Sequence, residues 1–189
     1  MITEQLAIIQ LFSGEIDREL TINQIAKLLH KSYAFTNKYV HELLVLGVLT
    51  KKTVGNAILC TLNLASERTR ALLVFDMIER KLHFESARSV TDKVQLQKFT
   101  LQIQQSDLSA IILLSANKLI VYSSLDNAHA SASHPSRVAG FPVHYHSRRQ
   151  FSTHALLFDY RSLVVLYNTE LFWLLYCGMK HVVLPMEVA

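Results

Sequence analysis

Apolar residues recur at helical spacing along the N-terminal part of the chain. The pattern over residues 3–12 predicts a first helix. A second, short amphipathic helix is predicted to begin after Thr21, because Gln24 stands three residues further on and the pair has the sequence of a capping box. A third amphipathic pattern starts after Ser32 and ends at Gly47, a residue type that commonly terminates helices. The N-terminal part is therefore predicted to contain three helices.

The pattern then changes to that of a hairpin, and after it to two long helices. Residues 48–52 and 57–63 are strand-like, and the basic tip between them, residues 52–56, is predicted to be flexible. Two helical patterns without internal glycine or proline follow over residues 66–86 and 91–105. Three helices and a hairpin in this order are the element order of a winged helix.

After residue 107 short apolar runs alternate with polar loops and helical segments. The predicted order is two strands over 110–114 and 119–124, a loop, a strand over 141–146, a helix over 147–157, a strand over 162–167 and a helix over 169–177. Alternation of this kind is typical of an α/β unit.

Together these patterns predict an α+β protein made of three parts. Residues 1–64 are predicted to form a winged helix-turn-helix domain, residues 65–107 a helical connector, and residues 108–189 a small α/β domain.

Composition and charge narrow the function classes only slightly. The chain has 189 residues, half of them hydrophobic, a formal net charge of +4 and a pI near 9.1, which permits nucleic-acid binding without requiring it. The start of the chain lacks a signal-peptide pattern, and Cys60 and Cys177 have no partner nearby in the sequence, which indicates a cytoplasmic protein with reduced thiols. Polar residues interrupt the apolar C-terminal region too often for a membrane span, so no membrane association is expected.

The third predicted helix and the hairpin carry the candidate DNA-binding residues. A helix that reads DNA presents polar side chains on one face, while phosphate contacts at its start and on a wing hold it in register. We expect the helix to enter the major groove and the hairpin to contact the adjacent backbone. The residues concerned are Ser32, Tyr33, Asn37, Lys38 and His41 on the helix, and Lys51, Lys52 and Asn56 on the hairpin.

The segment SYAFTNKYVHELLVLGVLTKKTVGNAILCTLNL resembles the winged helix-turn-helix domains of archaeal and bacterial transcription regulators. The matching positions are Ser32, Tyr33, Leu43, Gly47, Val48, Leu49, Lys51, Lys52, Gly55 and Asn63. This resemblance covers about the first third of the chain and implies binding to double-stranded DNA. Because acidic residues nearly cancel the cations of this region, a monomer is expected to bind weakly, and a homodimer would double the phosphate contacts. Some winged helices serve protein-protein contact instead, and that alternative stays open.

The second half is similar to the minimal nucleotidyltransferase domains that follow a winged helix in some archaeal proteins. The similarity rests on the strand, turn and strand AIILLSANKLIVYSS and on the later segment FPVHYHSRRQFSTHALLFDYRSLVVLYNTELFWLLY. Its matching positions are Phe151, Leu163, Val164, Val165, Leu166, Tyr167, Glu170, Leu171 and Phe172.

The residues that an active nucleotidyltransferase of this kind needs are missing from the sequence. Such enzymes use a Gly-Ser turn close to the triphosphate and two or three carboxylates that hold divalent metal ions. Leu114 and Ser115 stand at the Gly-Ser position, and Asp126 is the only carboxylate between Asp107 and Asp159. The resemblance therefore implies a degenerate domain without catalytic residues or a cofactor, which serves dimerisation or ligand sensing.

Arginine and histidine side chains form a further candidate site in the second half. Spacing by two on a predicted strand places His144 and His146 on one face. Two such imidazoles suit a metal ion, but packing or surface roles are commoner and no metal is assigned. The basic patch could instead receive a ligand phosphate or the DNA backbone, or simply solvate a helix start; its members are Arg137, His144, His146, Arg148 and Arg149.

The hypothesis that follows is a non-enzymatic, DNA-binding transcription regulator whose C-terminal domain dimerises or senses a small-molecule effector of unknown identity. Two alternatives belong to other classes: an active nucleotidyltransferase of the toxin-antitoxin kind, and a module for protein-protein interaction.

Overall fold

A computed structural model describes residues 2–55, 57–124 and 135–183 of the chain. In these ranges the chain forms seven α-helices and two β-sheets, which confirms the predicted α+β class. The chain divides into two units, of which the first extends to Asp76 and the second runs from Met77 to Met179. The division lies inside one long helix, and the predicted domain boundaries after residues 64 and 107 remain predictions.

The first unit combines three helices with a small antiparallel sheet. The three strands lie in the order β1-β3-β2. The elements are α1 (Ile2–Ser13), β1 (Leu20–Thr21), α2 (Ile22–Leu28), α3 (Tyr33–Val45), β2 (Leu49–Val54), β3 (Ala57–Leu62) and the first part of α4 (Glu67–Ser86).

Local hydrogen bonds determine where α2 and α3 begin. The Thr21 hydroxyl accepts from the Gln24 amide at 3.2 Å, and the Gln24 side-chain oxygen accepts from the Thr21 amide at 2.8 Å. The predicted capping box is therefore confirmed. At the start of α3, the Ser32 hydroxyl accepts from the Phe35 amide at 3.3 Å, which satisfies one of the free N–H groups of the first turn.

Gly47 ends α3 and turns the chain into the sheet. Its φ of +69° is a conformation that residues with a β-carbon adopt at a cost. Its amide donates to the Leu44 carbonyl at 3.1 Å, and the Val48 amide donates to the Leu43 carbonyl at 2.9 Å. These two bonds form a Schellman motif, which satisfies the last carbonyls of the helix and directs the chain into β2.

Apolar side chains from all three helices and from the sheet build the core of the first unit. Helical spacing on α3 buries Thr36, Val40 and Leu43 on one side of that helix, as predicted. The buried apolar residues contributed by the other elements include Ile8, Ile9, Phe12, Ile25, Ala26, Leu49, Cys60 and Leu62. The opposite side of α3 consequently meets solvent.

The hairpin is tighter than predicted. Strand β2 continues to Val54, which pairs with Ala57, so that Lys52 and Thr53 lie in the antiparallel ladder rather than in a flexible tip. The predicted boundary of the tip is therefore wrong, because the ladder includes Lys52, Thr53 and Val54, the first three of its five residues. Gly55, with φ of +57°, begins the turn, and Asn56 lies outside the described residues.

The second unit is built on a five-stranded mixed sheet. The strand order is β6-β7-β5-β4-β8, with β5 parallel to β7 and the other neighbours antiparallel. The elements are α5 (Val90–Ser106), β4 (Ile111–Ser115), β5 (Lys118–Ser123), β6 (Arg137–Val138), β7 (Phe141–Ser147), a 3₁₀ turn (Arg148–Gln150), α6 (Phe151–Ala155), β8 (Val164–Tyr167) and α7 (Thr169–Val183).

Helices cover both faces of this sheet. On one face Phe99 and Ile103 of α5 belong to a buried cluster with strand residues that include Leu119 and Val121. On the other face Tyr122 meets Phe151 of α6 edge to face, with ring centroids 5.2 Å apart. Because alternate strand residues point to opposite faces, the near-continuous apolar run of β4 is buried throughout.

Two short elements differ from prediction. Strand β6 was not predicted, because its two residues carry no pattern of their own and pair only through the tight turn into β7. The helix predicted over 147–157 is a 3₁₀ turn followed by the five-residue α6. None of the described helices combines the length and the hydropathy that are required to cross a membrane.

Candidate functional site

The exposed face of α3 carries the side chains that were predicted to read DNA. Tyr33 is 52% exposed, and Asn37, Lys38 and His41 are exposed as well. Positions 33, 37 and 41 follow one another at intervals of four, so these three side chains lie along one line of the helix. The buried residues of α3 hold this line outward by packing on the opposite side.

Two lysine side chains near this line lie over aromatic rings. Lys31 Nζ lies 5.6 Å from the centroid of the Phe35 ring, and Lys38 Nζ lies 5.5 Å from that of Tyr39. The two rings themselves are 4.9 Å apart. Sequence reasoning missed Lys31, Phe35 and Tyr39, although the four-residue spacing of the two aromatic residues was a visible signal.

The single acidic residue of α3 is held away from the candidate face. The half-buried Glu42 accepts a hydrogen bond from Gln5 Nε2 of α1 at 3.1 Å. Its carboxylate is therefore engaged between helices. Gln5 is a neutral donor, so Glu42 keeps its negative charge and still offsets part of the positive charge on α3.

The hairpin residues Lys51 and Lys52 are both exposed, yet they belong to different faces of the hairpin. Lys51 pairs with Cys60 and Lys52 with Leu59, and successive strand residues alternate between faces. Burial raises the pKa of the Cys60 thiol, while the charge of Lys51 acts in the opposite direction. Lys51 thus lies on the face of the hairpin that includes buried Cys60, and Lys52 lies on the other face.

In the second unit, parallel pairing brings a tyrosine and two histidines together. Strand register places Tyr122 of β5 beside His146 of β7, with their rings stacked at a centroid distance of 5.6 Å. The Tyr122 hydroxyl and His154 Nδ1 share a hydrogen bond of 2.9 Å. The rings of His146 and His154 meet edge to face at 4.7 Å. The sequence indicated the histidines but not their contacts with Tyr122, because Tyr122 comes from a different strand.

The surroundings disfavour charge within this cluster of Tyr122, His146 and His154. Burial lowers the pKa of His146 below its ordinary value, and repulsion from His154 and His144 lowers it further. Burial also raises the pKa of the Tyr122 hydroxyl well above its usual range. The lowered pKa of His146 favours its neutral imidazole, and the raised pKa of Tyr122 keeps its hydroxyl protonated.

The structure brings some members of the predicted basic patch together and separates one. His144 and His146 lie on the same face of β7, and Arg148 and Arg149 follow directly after that strand. Arg137 pairs with Pro142 near the beginning of β7 and donates to the Gly140 carbonyl at 3.0 Å. Arg137 thus lies toward the opposite end of the strand from Arg148.

A buried carboxylate at the end of β5 is a feature that sequence reasoning missed. Asp107 accepts five hydrogen bonds at 2.6–2.9 Å, from the amides and hydroxyls of Ser109 and Ser124 and from the hydroxyl of Ser123. Burial by itself would raise the pKa of this carboxyl, but the hydrogen bonds from Ser109, Ser124 and Ser123 outweigh it and hold the pKa well below 3.8. Asp107 therefore ties the start of the sheet to the end of β5.

The β4–β5 hairpin closes without glycine. Ala116 and Asn117 form its two-residue turn, with φ of +48° and +61°, the signs that a type I′ turn requires. Leu114 and Ser115, at the position where a nucleotidyltransferase has Gly-Ser, are paired strand residues. Within the described ranges no three His, Cys, Asp or Glu side chains lie close enough together to hold a metal ion; Asp126 and His134 lie outside those ranges.

Comparison of the chain with protein-family models, with curated proteins and with solved structures gives no significant match in any of the three. The function proposed below is inferred from the geometry of α3 and the hairpin in the first unit, and from that of the basic patch in the second unit.

Proposed function

We propose that the protein is a DNA-binding transcription regulator whose first unit is a winged helix-turn-helix domain. The observation that carries this proposal is the exposed line Tyr33, Asn37 and His41 on α3, with Lys38 beside it and a basic hairpin following directly in the chain. The supporting arrangement is the element order α1-β1-α2-α3-β2-β3 with the sheet order β1-β3-β2.

The dimensions of α3 suit the major groove. Its 13 residues span about 20 Å at the helical rise of roughly 1.5 Å per residue, and the groove of B-form DNA accepts one α-helix. The side-chain amide of Asn37 can bond both N6 and N7 on the major-groove edge of adenine, and Lys38 is a donor for guanine or for phosphate. In this proposal Ser32 and Tyr33 contact the backbone at the helix start, and Lys52 contacts it from the hairpin.

The number of cations limits the affinity of a single copy. Lys31, Lys38 and the hairpin lysines are few compared with the phosphate contacts of strongly binding proteins, and affinity falls steeply with salt when binding is electrostatic. We therefore include homodimerisation in the proposal, so that two copies of α3 bind two half-sites. The second unit serves as the dimerisation or sensing domain and resembles a degenerate nucleotidyltransferase without its own chemistry.

The test begins with selection of duplexes from a random DNA pool by the immobilised full-length protein. Affinity for the selected duplex is then measured by fluorescence anisotropy for wild type and for Asn37→Ala, Lys38→Ala and Lys98→Ala. Lys98 is an exposed lysine on α5, so its substitution removes the same charge from a helix outside the candidate face. We expect Asn37→Ala and Lys38→Ala to weaken binding while Lys98→Ala leaves it close to wild type.

Unchanged affinity in both α3 variants would contradict the proposed surface. Failure to select any duplex would instead favour the second candidate function, a protein-protein interaction module. That candidate is supported by exposed apolar side chains on the same unit, among them Tyr33, Phe35, Val54 and Ile58 at 37–52% exposure. Incubation with labelled nucleoside triphosphates and Mg²⁺ or Mn²⁺ tests the remaining part of the proposal, and transfer of label would contradict a non-catalytic second unit.

A further inference from the structure

Arg148 carries hydrogen-bond donors that no described residue satisfies. Its Nε and Nη2 atoms are buried and have no hydrogen-bond partner among the described residues. These two nitrogens lie on the same edge of the guanidinium plane, and their N–H bonds are parallel. This edge is the fork with which arginine binds two oxygens of a carboxylate or phosphate at once.

An unsatisfied fork is costly. A buried donor without an acceptor loses the hydrogen bonds that water gives it in the unfolded chain, and buried polar groups in folded proteins are almost always paired. Asp107, the buried carboxylate at the end of the neighbouring strand, does not supply the acceptor, because both of its oxygens already accept bonds from serine residues. Among the described residues the Arg148 fork therefore has no acceptor, and a bound oxyanion would supply one.

The position of Arg148 is one where small ligands commonly bind. Ser123 of β5 lies beside Ser147 of β7 in the parallel register, so Arg148 is the first residue beyond the carboxyl ends of these two strands. Ligands of sheets with parallel strands bind in the crevice outside such ends. The side chain of Arg148 is half-buried.

The charges around this end of the strands favour a phosphate group over a carboxylate. The exposed Arg149 directly follows Arg148 and carries a second positive charge. A phosphate group at neutral pH carries more negative charge than a carboxylate and has a third oxygen for a second cation. We infer that the second unit binds a phosphate group on the Arg148 fork, with Arg149 as the second cation.

This inference is independent of DNA binding, so its test contains no DNA. Full-length protein is titrated with inorganic phosphate, with adenosine 5′-monophosphate and with malonate in calorimetry. Thermal unfolding followed by Trp173 fluorescence reports the same binding, since Trp173 is the only tryptophan and is buried in the second unit. Tighter binding of either phosphate probe than of malonate supports the inference, and malonate binding at least as tightly as both would contradict it. Whichever phosphate probe binds more tightly shows whether the site prefers free phosphate or a phosphate ester.

Two variants locate the site. Arg148→Lys keeps the charge but loses the fork, and we expect about 10- to 100-fold weaker phosphate binding, the loss that corresponds to one hydrogen bond to a charged group. Arg68→Lys is the matched control, because Arg68 is exposed and lies in the first unit, and this variant is expected to bind like wild type. Equal affinity in Arg148→Lys and wild type, or an equal loss in both variants, would overturn the inference.

A third measurement needs no variant. In the wild-type protein, the side-chain Nε–H resonance of Arg148 should shift during titration with inorganic phosphate and remain in place during titration with malonate at equal ionic strength. If the chemical shift of this resonance does not change with phosphate, or changes equally with malonate, the Arg148 fork is not a phosphate site. Either result leaves the DNA-binding proposal untouched, because that proposal concerns α3 and the hairpin.

Discussion

Lys51 and Lys52 are neighbours in sequence, but the strand register directs them to opposite faces of the hairpin, with Lys51 opposite Cys60 and Lys52 opposite Leu59. Only one of the two faces can lie against a DNA backbone in a given complex. Because Lys51 shares its face with the buried Cys60, we expect Lys52 to make the phosphate contact.

Lys52→Ala is therefore expected to weaken DNA binding more than Lys51→Ala. Loss of one phosphate contact should also reduce the slope of log affinity against log salt concentration by about 1. Affinities of both variants over a series of salt concentrations provide the measurement. The assignment of Lys52 is wrong if Lys51→Ala has the larger effect on the slope.

Ser32 is expected to stabilise the start of α3. Ser32→Ala removes the acceptor for the Phe35 amide and should cost about 1 kcal/mol. Ser32→Asp keeps an acceptor at the cap, so stability should recover, whereas the added negative charge at the proposed DNA face should weaken binding. Amide hydrogen exchange in α3 measures the first effect and anisotropy the second. The prediction is wrong if DNA affinity falls in proportion to the loss of stability in both variants, because the capping role of Ser32 would then explain both effects.

Asp107 is expected to contribute strongly to the stability of the second unit. In Asp107→Asn an NH₂ group replaces one of the two acceptor oxygens, and the loss should be about 2–3 kcal/mol, as is typical of hydrogen bonds to a charged group. Asp159→Asn is the control: Asp159 also accepts from a serine hydroxyl and a backbone amide, but it is exposed, so water can replace those bonds and the cost should be about 0.5 kcal/mol or less. Urea unfolding followed by Trp173 fluorescence measures both, and equal costs would contradict this role of Asp107.

The same carboxylate makes stability depend on pH in the acidic range. The folded pKa of Asp107 is lowered from 3.8, so the unfolded chain binds the proton more readily. The stabilisation is complete above about pH 4 and is lost as the pH falls below that value. In Asp107→Asn this part of the acid dependence should disappear.

His146 should make the stability of the second unit depend on pH in a second, less acidic range. Its pKa is lowered from 6.5 by burial and by His154 and His144, so the unfolded chain takes up a proton that the folded chain resists. Stability of the second unit should therefore fall as the pH decreases below 6.5. His146→Phe should flatten this fall while the exposed His83→Gln leaves it unchanged. A stability that is flat between pH 7 and pH 5 in the wild type would contradict the prediction.

The turn between β4 and β5 contains a strained alanine. Ala116 adopts φ of +48°, and a left-handed conformation costs residues other than glycine about 1–2 kcal/mol. Ala116→Gly removes the strain but adds freedom to the unfolded chain, so the net gain should be about 0.5–1 kcal/mol. Ala116→Val should destabilise, because a branched side chain fits this conformation poorly. The urea midpoint should be highest for Ala116→Gly, intermediate for the wild type and lowest for Ala116→Val. Any other order would contradict the proposed strain at Ala116.

Signals within a few residues of one another were predictable. The capping box of Thr21 and Gln24, the cap at Ser32 and the stop at Gly47 could be located without a structure, because each depends on hydrogen bonds within one or two turns of the chain. The exposed line of α3 was predictable for the same reason. Helical geometry alone decides which side chains share a face once the buried side is known.

Contacts across strands were not predictable in this way. The strand pattern of β7 was visible, yet nothing in it indicated that His146 would stack on Tyr122 or that His154 would bond the Tyr122 hydroxyl. The two-residue β6 was missed because so short a strand carries no periodicity of its own. The bonds from Ser123 and Ser124 to Asp107 were missed because the β4–β5 hairpin separates these residues from Asp107 in sequence. A shift of one residue in the register would move each of these side chains to the other face of the sheet.

The amino-acid sequence by itself determined the α+β class, the positions of the main helices and strands, and the polar face of α3, since all of these follow from local periodicity and capping. Only the tertiary structure decided that Lys51 and Lys52 diverge, that Glu42 is engaged by α1, and that Arg148 presents an unsatisfied fork beside the ends of two parallel strands. These features depend on strand register and on packing between segments that are distant in sequence. The free energy of these contacts is a sum over the whole unit, so no single stretch of the sequence determines them.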